Sequence, residues 1–255
     1  MLASLAATGL TPLDRLSPLV FDAYQRIQPR VETGARVTIV DIDEASIAEL
    51  GQWPWPRALL ARMVDRLGEM GAASIAFDIV FPEPDRTSLA LVADQLRAAG
   101  ATVDIPAAAA MDNDALLAAA IARNYVVSGI VISDETQAAL PAPKAGFAFG
   151  GSDPLAYLPP HTGGVANLTP IDGAARGIGF FSFFPETDGI VRKLPLVAAA
   201  QGRLYPTLGL EALRVAQDAR SFTVRSSDAS GEIAGAAPAM TAMRVGAIEV
   251  PTGPE

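Results

Sequence analysis

The 255 residues carry 28 acidic and 19 basic side chains, a formal charge of −9, and half of them are apolar while only 18% are charged. That balance argues against a nucleic-acid partner, because neutralising phosphates needs a basic face, and against a polybasic grip on a membrane surface. With no Cys and one His, His161, there is no disulfide, no thiol catalysis, no Cys-ligated zinc and little basis for a His-centred triad.

The length is ample for a real core, although 48 alanines dilute the large side chains available to fill it. No stretch reads as a spanning helix. The opening run contains Thr11, Pro12, Asp14 and Arg15, and residues 107–122 contain Asp112, Asn113 and Asp114. A secretory leader pattern is missing as well. The start within an alanine-leucine run and the stop at Pro254-Glu255 are expected to be the edges of a segment cut from a longer protein.

Leu13, Leu16, Val20, Tyr24 and Ile27 recur at spacings of three and four, predicting an amphipathic helix over residues 13–28 that stops before Pro29. RVTIVDID, residues 36–43, is β-branched and reads as a buried strand. SIAEL follows as a short helix closed by Gly51. After WPWPR, apolar Leu59, Leu60, Met63, Val64, Leu67 and Met70 predict a helix with Pro56 in its first turn. ASIAFDIVF then reads as a second strand, making residues 36–81 a parallel β-α-β crossover.

Beyond the PEPD loop, helices are predicted in TSLALVADQLRAAG and, capped by Asp112, in ALLAAAIAR, with NYVVSGIVI as a strand. Residues 134–176 read as irregular. GIGFFSFFP and GIVRKLPLV read as a hairpin around ETDG. TLGLEALRVAQ is predicted as a helix, FTVRS as a strand, residues 229–239 as a loop, and TAMRVGAIEVP as a last strand or hairpin. The order predicts an α/β fold: a mixed central sheet with flanking helices, a parallel β-α-β unit near the N-terminus and a C-terminal hairpin.

Asp41 and Asp43 lie two apart on one face of the first predicted strand, and Asp78 lies near the end of the second. Parallel neighbours would gather these carboxylates at the carboxyl edge of the sheet, as a ligand site or, with a divalent cation, a metal site. The plainer reading makes Asp43 a helix cap and leaves Asp78 to bond loop amides or an arginine. Trp53 and Trp55, each held extended by a following proline, either line a pocket or staple the core. Arg57 sits in a helix first turn, where the macrodipole disfavours a cation. A compensating carboxylate is expected, from Asp41, Asp43 or Asp78. His161 reads as a solvated loop residue, and Asn167-Leu168-Thr169 matches a glycosylation triplet. No Gly-rich phosphate loop or dinucleotide fingerprint is present.

The run IVDIDEASIAELGQWPWPRALLARMVDRLGEMGAASIAFDIVFPEPDR resembles the hallmark of the type-two CHASE domain, a sensory extracellular module associated with cyclases and histidine kinases. GFFSFFPETDGIVRKLPLV followed by LYPTLGLEALR is similar to that family's later block, so the resemblance covers about residues 13–225. It implies an extracytoplasmic, periplasmic sensor tethered to the membrane, non-catalytic in itself. The output would be an adenylate or guanylate cyclase first, a histidine or serine/threonine kinase otherwise. One domain over 1–255 is expected: 1–34 a membrane-proximal helix and linker, 35–225 the core, 226–255 a C-terminal linker and strand. The implied partners are a small-molecule or ion stimulus and a second copy in a homodimer. No cofactor is expected, with a divalent cation as the alternative.

A competing reading takes VTIV and Asp-x-Asp as the opening of a haloacid-dehalogenase-type phosphatase, with Asp41 as nucleophile, Asp43 as general acid and Asp78 as Mg²⁺ ligand. Its lysine would have to be Lys144 or Lys193, neither in a suitable local pattern, and its later metal motif is missing.

Overall fold

The computed structural model describes residues 12–29, 37–104, 112–182, 189–229 and 238–252. The chain divides into two units, Met1–Gly51 and Gln52–Glu255.

In the first unit, helix α1 spans Pro12–Ile27 and ends before Pro29, as its periodicity predicts. Val20, Tyr24 and Ile27 along its stripe are exposed. Residues 37–43 form no strand, which corrects the expected first strand: Val37 and Ile39 are 81% and 86% exposed. Branched side chains bias this backbone toward extended dihedrals. A strand also needs a neighbour's N–H and C=O groups, and none pairs with this run among the described residues. Helix α2, Glu44–Leu50, starts where the Asp43 carboxylate accepts the Ser46 N–H at 2.8 Å. It stops at Gly51, whose φ of 94° suits glycine.

The second unit opens with α3, Arg57–Glu69, which buries Leu60, Ala61 and Val64. Next come β1 (Ile75–Ala76), α4 (Leu89–Ala98), α5 (Asn113–Arg123) and β2 (Val126–Ser133). Then follow β3 (Gly146–Gly150), a 3₁₀ turn at Pro154–Ala156, β4 (Pro160–His161), β5 (Gly163–Val165), α6 (Thr169–Ala174) and β6 (Gly177–Phe180). The remainder is β7 (Val197–Ala200), β8 (Arg203–Pro206), α7 (Leu208–Ala216), β9 (Ser221–Ser226), β10 (Met240–Val245) and β11 (Ile248–Pro251).

Three sheets form. In the first, β2 pairs in parallel with β1 and β6 and antiparallel with β5. Residues 126–130 of β2 are buried without a break, the mark of a strand covered on both faces. The second has the order β11-β10-β9-β3, with β3 parallel to β9. There Phe222, Val224 and Ser226 are buried and the residues between them exposed, the alternation of a one-sided sheet. The third is β4-β7-β8. One core cluster joins Ile130, Ile132, Ile178, Phe180 and Tyr205, and another joins Leu204, Leu210, Phe222, Val224, Met243 and Val245.

The fold is mixed α/β, with a parallel β-α-β unit and a C-terminal hairpin across Gly246-Ala247. The parallel pair joins β1 to β2 through α4 and α5, one element later than the predicted crossover. The hairpin expected around ETDG is corrected: β6 and β7 lie in different sheets, and turn residues 186–188 fall outside the described residues. β7 turns back instead across Gln201-Gly202 into β8. The expected irregular stretch 134–176 contains β3, β4, β5 and α6, whose pairing partners lie far away in sequence. The glycines of GIGF have a steric reason. A Cβ on Gly179 would stand 2.6 Å from the Leu208 Cα, so the bare strand lets α7 lie directly against β6.

Candidate functional site

Arg57 is the first residue of α3, and Pro56 before it offers no side-chain cap. The cap comes from elsewhere: Asp85 Oδ2 accepts the Arg57 N–H at 2.7 Å. A carboxylate there satisfies an orphan donor and sits well with the positive end of the helix dipole. Asp85 Oδ1 accepts both the Thr87 N–H at 2.8 Å and the Thr87 hydroxyl at 2.7 Å, while Oδ2 also takes the Asn113 amide at 2.9 Å. The Asp85 N–H in turn donates to Asp114 Oδ2 at 2.8 Å. The loop after β1 thus ties the start of α3 to the start of α5.

The Arg57 side chain lies inside this knot. Its Nε is 3.7 Å from Asp114 Oδ1, with side-chain exposures of 10% and 8%. These two atoms are buried without a hydrogen-bond partner. The guanidinium stacks over Phe81, 4.3 Å from the ring centre, and Phe81 meets Phe77 edge to face at 5.5 Å. Within its own unit the carboxylates answering Arg57 are therefore Asp85 and Asp114, not the expected Asp78, while the other expected partners, Asp41 and Asp43, belong to the first unit.

The two acids titrate in opposite directions. Burial pushes both up, but four hydrogen bonds outweigh it at Asp85 and hold that carboxyl below the usual range. At Asp114 burial prevails over the bond from the Asp85 N–H, reinforced by the Asp112 charge, and the carboxyl is raised. Burial lowers the Arg57 pKa, with Asp114 and Asp85 opposing it.

The other candidate residues fall as follows. Trp55 is buried and meets Trp53 edge to face at 5.7 Å, so this ring enters the core. Asp41 and Asp78 are exposed. Asp43 is committed to capping α2, and hydrogen bonds from the Ser46 side chain and N–H lower its pKa. Among the described residues no three His, Asp or Glu side chains are grouped to hold a metal ion.

A family model described as CHASE2 domain matches residues 1–252. The chain belongs to the CHASE2 family. Comparison with curated proteins and with solved structures gave no match. CHASE2 is an extracellular sensory, non-catalytic domain, so this segment is not an enzyme. The phosphatase alternative fails on geometry too. The strand that would present Asp41 is not formed, Asp43 caps a helix, and the Lys144 ammonium donates to the Gly173 carbonyl at 3.1 Å. Among the described residues no helix is long and apolar enough to cross a membrane.

A second buried polar knot supports the CHASE2 sheet. Asn167 Oδ1 accepts the Phe81 N–H at 2.7 Å, and its amide donates to the Gly129 carbonyl at 2.9 Å and to Asp172 Oδ1 at 2.8 Å. The Ser128 hydroxyl donates to the same Asp172 oxygen at 2.7 Å. Burial raises the Asp172 pKa against these bonds. Asn167 is buried, so the glycosylation triplet is a structural asparagine. His161 lies in β4 with Nδ1 3.0 Å from Asp134 Oδ2, rather than in a solvated loop.

In the sequence Asp85 and Asp172 are not singled out, and Asp114 is marked only as a charge in an apolar run and Asn167 only as part of a glycosylation triplet. Two carried a usable signal: Asp85 ends a Pro-x-Pro-Asp loop directly after a strand, and Asp114 closes an Asp-Asn-Asp helix start.

Proposed function

We propose that this CHASE2 domain is the extracytoplasmic, periplasmic signal-sensing part of a bacterial transmembrane receptor whose output is an adenylate or guanylate cyclase. The observation that carries the reading is the family match over residues 1–252. Cyclases are common partners of the module, and a histidine or serine/threonine kinase is the runner-up. The receptor works as a homodimer tethered to the membrane. The exposed stripe of Val20, Tyr24 and Ile27 on α1 supports that reading, since an apolar helix face gains from a partner. A small molecule or an ion serves as stimulus, with no cofactor.

Sensing needs an element with two arrangements that a stimulus biases unequally. The Trp53-Trp55-Arg57 segment is suited to that role. It enters the core through Trp55, and it ends on a buried ion pair that lacks good hydrogen-bond geometry. Asp78 is a further candidate ligand residue of the same unit, and Asp41 and Asp43 are candidates within the first unit.

Topology is tested by fusing alkaline phosphatase or β-galactosidase behind this domain, after its Thr252, in the complete gene. An active alkaline phosphatase fusion and an inactive β-galactosidase fusion are expected. The reverse pattern would place the domain in the cytoplasm and end the receptor reading.

A further inference from the structure

In a chain of net charge −9 one cavity is cationic. It has a volume of ≈ 340 Å³ and is lined by Tyr125, Lys144, Arg176, Arg214, Asp218 and Arg220, among others. The fold concentrates the charge there. Tyr125, Arg176 and Arg220 each stand one residue before β2, β6 and β9, and Lys144 stands two before β3. The cations come from separate segments that share one end of two parallel strand pairs, β2 with β6 and β3 with β9.

Arg214 has an ordinary structural role. Its guanidinium binds both Glu211 oxygens at 2.7 Å, and donates to the Ala219 carbonyl at 2.7 Å and the Arg176 carbonyl at 3.0 Å. Its charge is cancelled by Glu211, and it braces the end of α7 beneath the cavity. The other three cations have no such explanation. Arg176 stacks on Tyr125, 4.5 Å from the ring centre, which fixes its position without neutralising it. Lys144 is held by the Gly173 carbonyl, a neutral acceptor. Among the described residues no carboxylate lies within 4 Å of Lys144, Arg176 or Arg220. Asp218 is the single acid among the described lining residues, so Arg176 and Arg220, with Lys144 coupled only at longer range to Asp172, face one carboxylate.

We infer that this cavity is a binding site for a small organic or inorganic polyanion, one carrying at least two carboxylate or phosphate groups. Three like charges around one concavity repel each other, and a bound polyanion relieves that repulsion while forming charge-assisted hydrogen bonds. The volume falls in the range of small-ligand pockets and exceeds what one monovalent ion needs. A monocarboxylate leaves two of the cations unanswered and binds weakly. The inference goes beyond the sensory assignment, because the site stands whichever output domain is attached.

Calorimetric titration of the 255-residue chain with pyrophosphate and with citrate distinguishes phosphate from carboxylate recognition, with acetate as the monovalent control. Saturable binding of pyrophosphate or citrate is expected, weakening as sodium chloride is added. K144Q, R176Q and R220Q alter exposed side chains, and a circular dichroism spectrum matching the parent's is expected of each. Each is expected to weaken binding about tenfold, and the triple variant to abolish it. Phosphate and citrate also stabilise proteins by exclusion from their surfaces, so a rise in Tm that persists in the triple variant counts against the site. The inference is overturned if neither polyanion binds saturably, or if the triple variant binds as the parent does.

Discussion

Arg57 and Asp114 face each other at 3.7 Å, each side chain about nine-tenths buried, with Arg57 Nε and Asp114 Oδ1 both lacking a hydrogen bond. A buried pair at that separation gains Coulomb energy without the directed bonds that offset desolvation. What holds it in place is the surrounding frame: Phe81 under the guanidinium, and Asp85 bridging the two helix starts.

Removing Arg57 leaves Asp114 buried without its cation, whereas removing Asp114 leaves Arg57 with Asp85 as its remaining acid. Arg57→Met is expected to lower unfolding free energy by about 3–5 kcal/mol at neutral pH, and Asp114→Asn to cost less, because burial already disfavours the ionised Asp114. The double variant should lose less than the sum, by about 0.5–3 kcal/mol, in a urea-denaturation cycle. Additive losses would mean that the two residues act independently.

Asp85 and Asp114 should leave opposite signatures in acid. Asp85 has a lowered folded pKa, so its stabilisation is present above about pH 3.9 and is lost as pH falls through the folded value. Asp114 has a raised folded pKa, so its contribution is full below about pH 3.9 and is lost as pH rises through the folded value. The stability difference between parent and Asp85→Asn should therefore shrink toward low pH. Asp114→Asn should gain stability relative to the parent as pH rises toward neutral. Slopes of the same sign in both variants would refute the assignment.

Gly179 and Gly173 make a paired test of backbone approach. A Cβ on Gly179 would stand 2.6 Å from the Leu208 Cα, whereas nothing lies within 4 Å of one on Gly173 in α6. Gly179→Ala is expected to cost about 1–3 kcal/mol. Gly173→Ala should be neutral, or stabilising by about 0.4–1 kcal/mol. Thermal melts that rank the two in the other order would contradict the packing of α7 on β6.

Helices were the most legible part of the sequence, because apolar spacing and end signals are local. Asp43, Gly51 and Asp112 mark helix boundaries in the chain and in the structure alike. Strand pairing was less legible. VTIV has strand composition yet finds no ladder, and GIGF and VAAA enter different sheets although they follow each other in sequence. A strand's partner is a long-range fact, and residues 160–165 form strands too short to show any period. The site was half legible. Arg57 stood out because a cation opens a helix, and the need for a carboxylate followed from that. Which acids answer it depended on the loop after β1 and the start of α5 reaching back across 28 and more residues.

The most direct test is cyclic AMP and cyclic GMP formation by membranes bearing the complete protein, parent against Arg57→Met at matched protein level. Nucleotide formation by the parent is expected, altered about fivefold or more by the substitution, the scale of an allosteric coupling. Membranes that form no cyclic nucleotide, or form it equally with and without Arg57, would contradict a cyclase receptor governed by this domain.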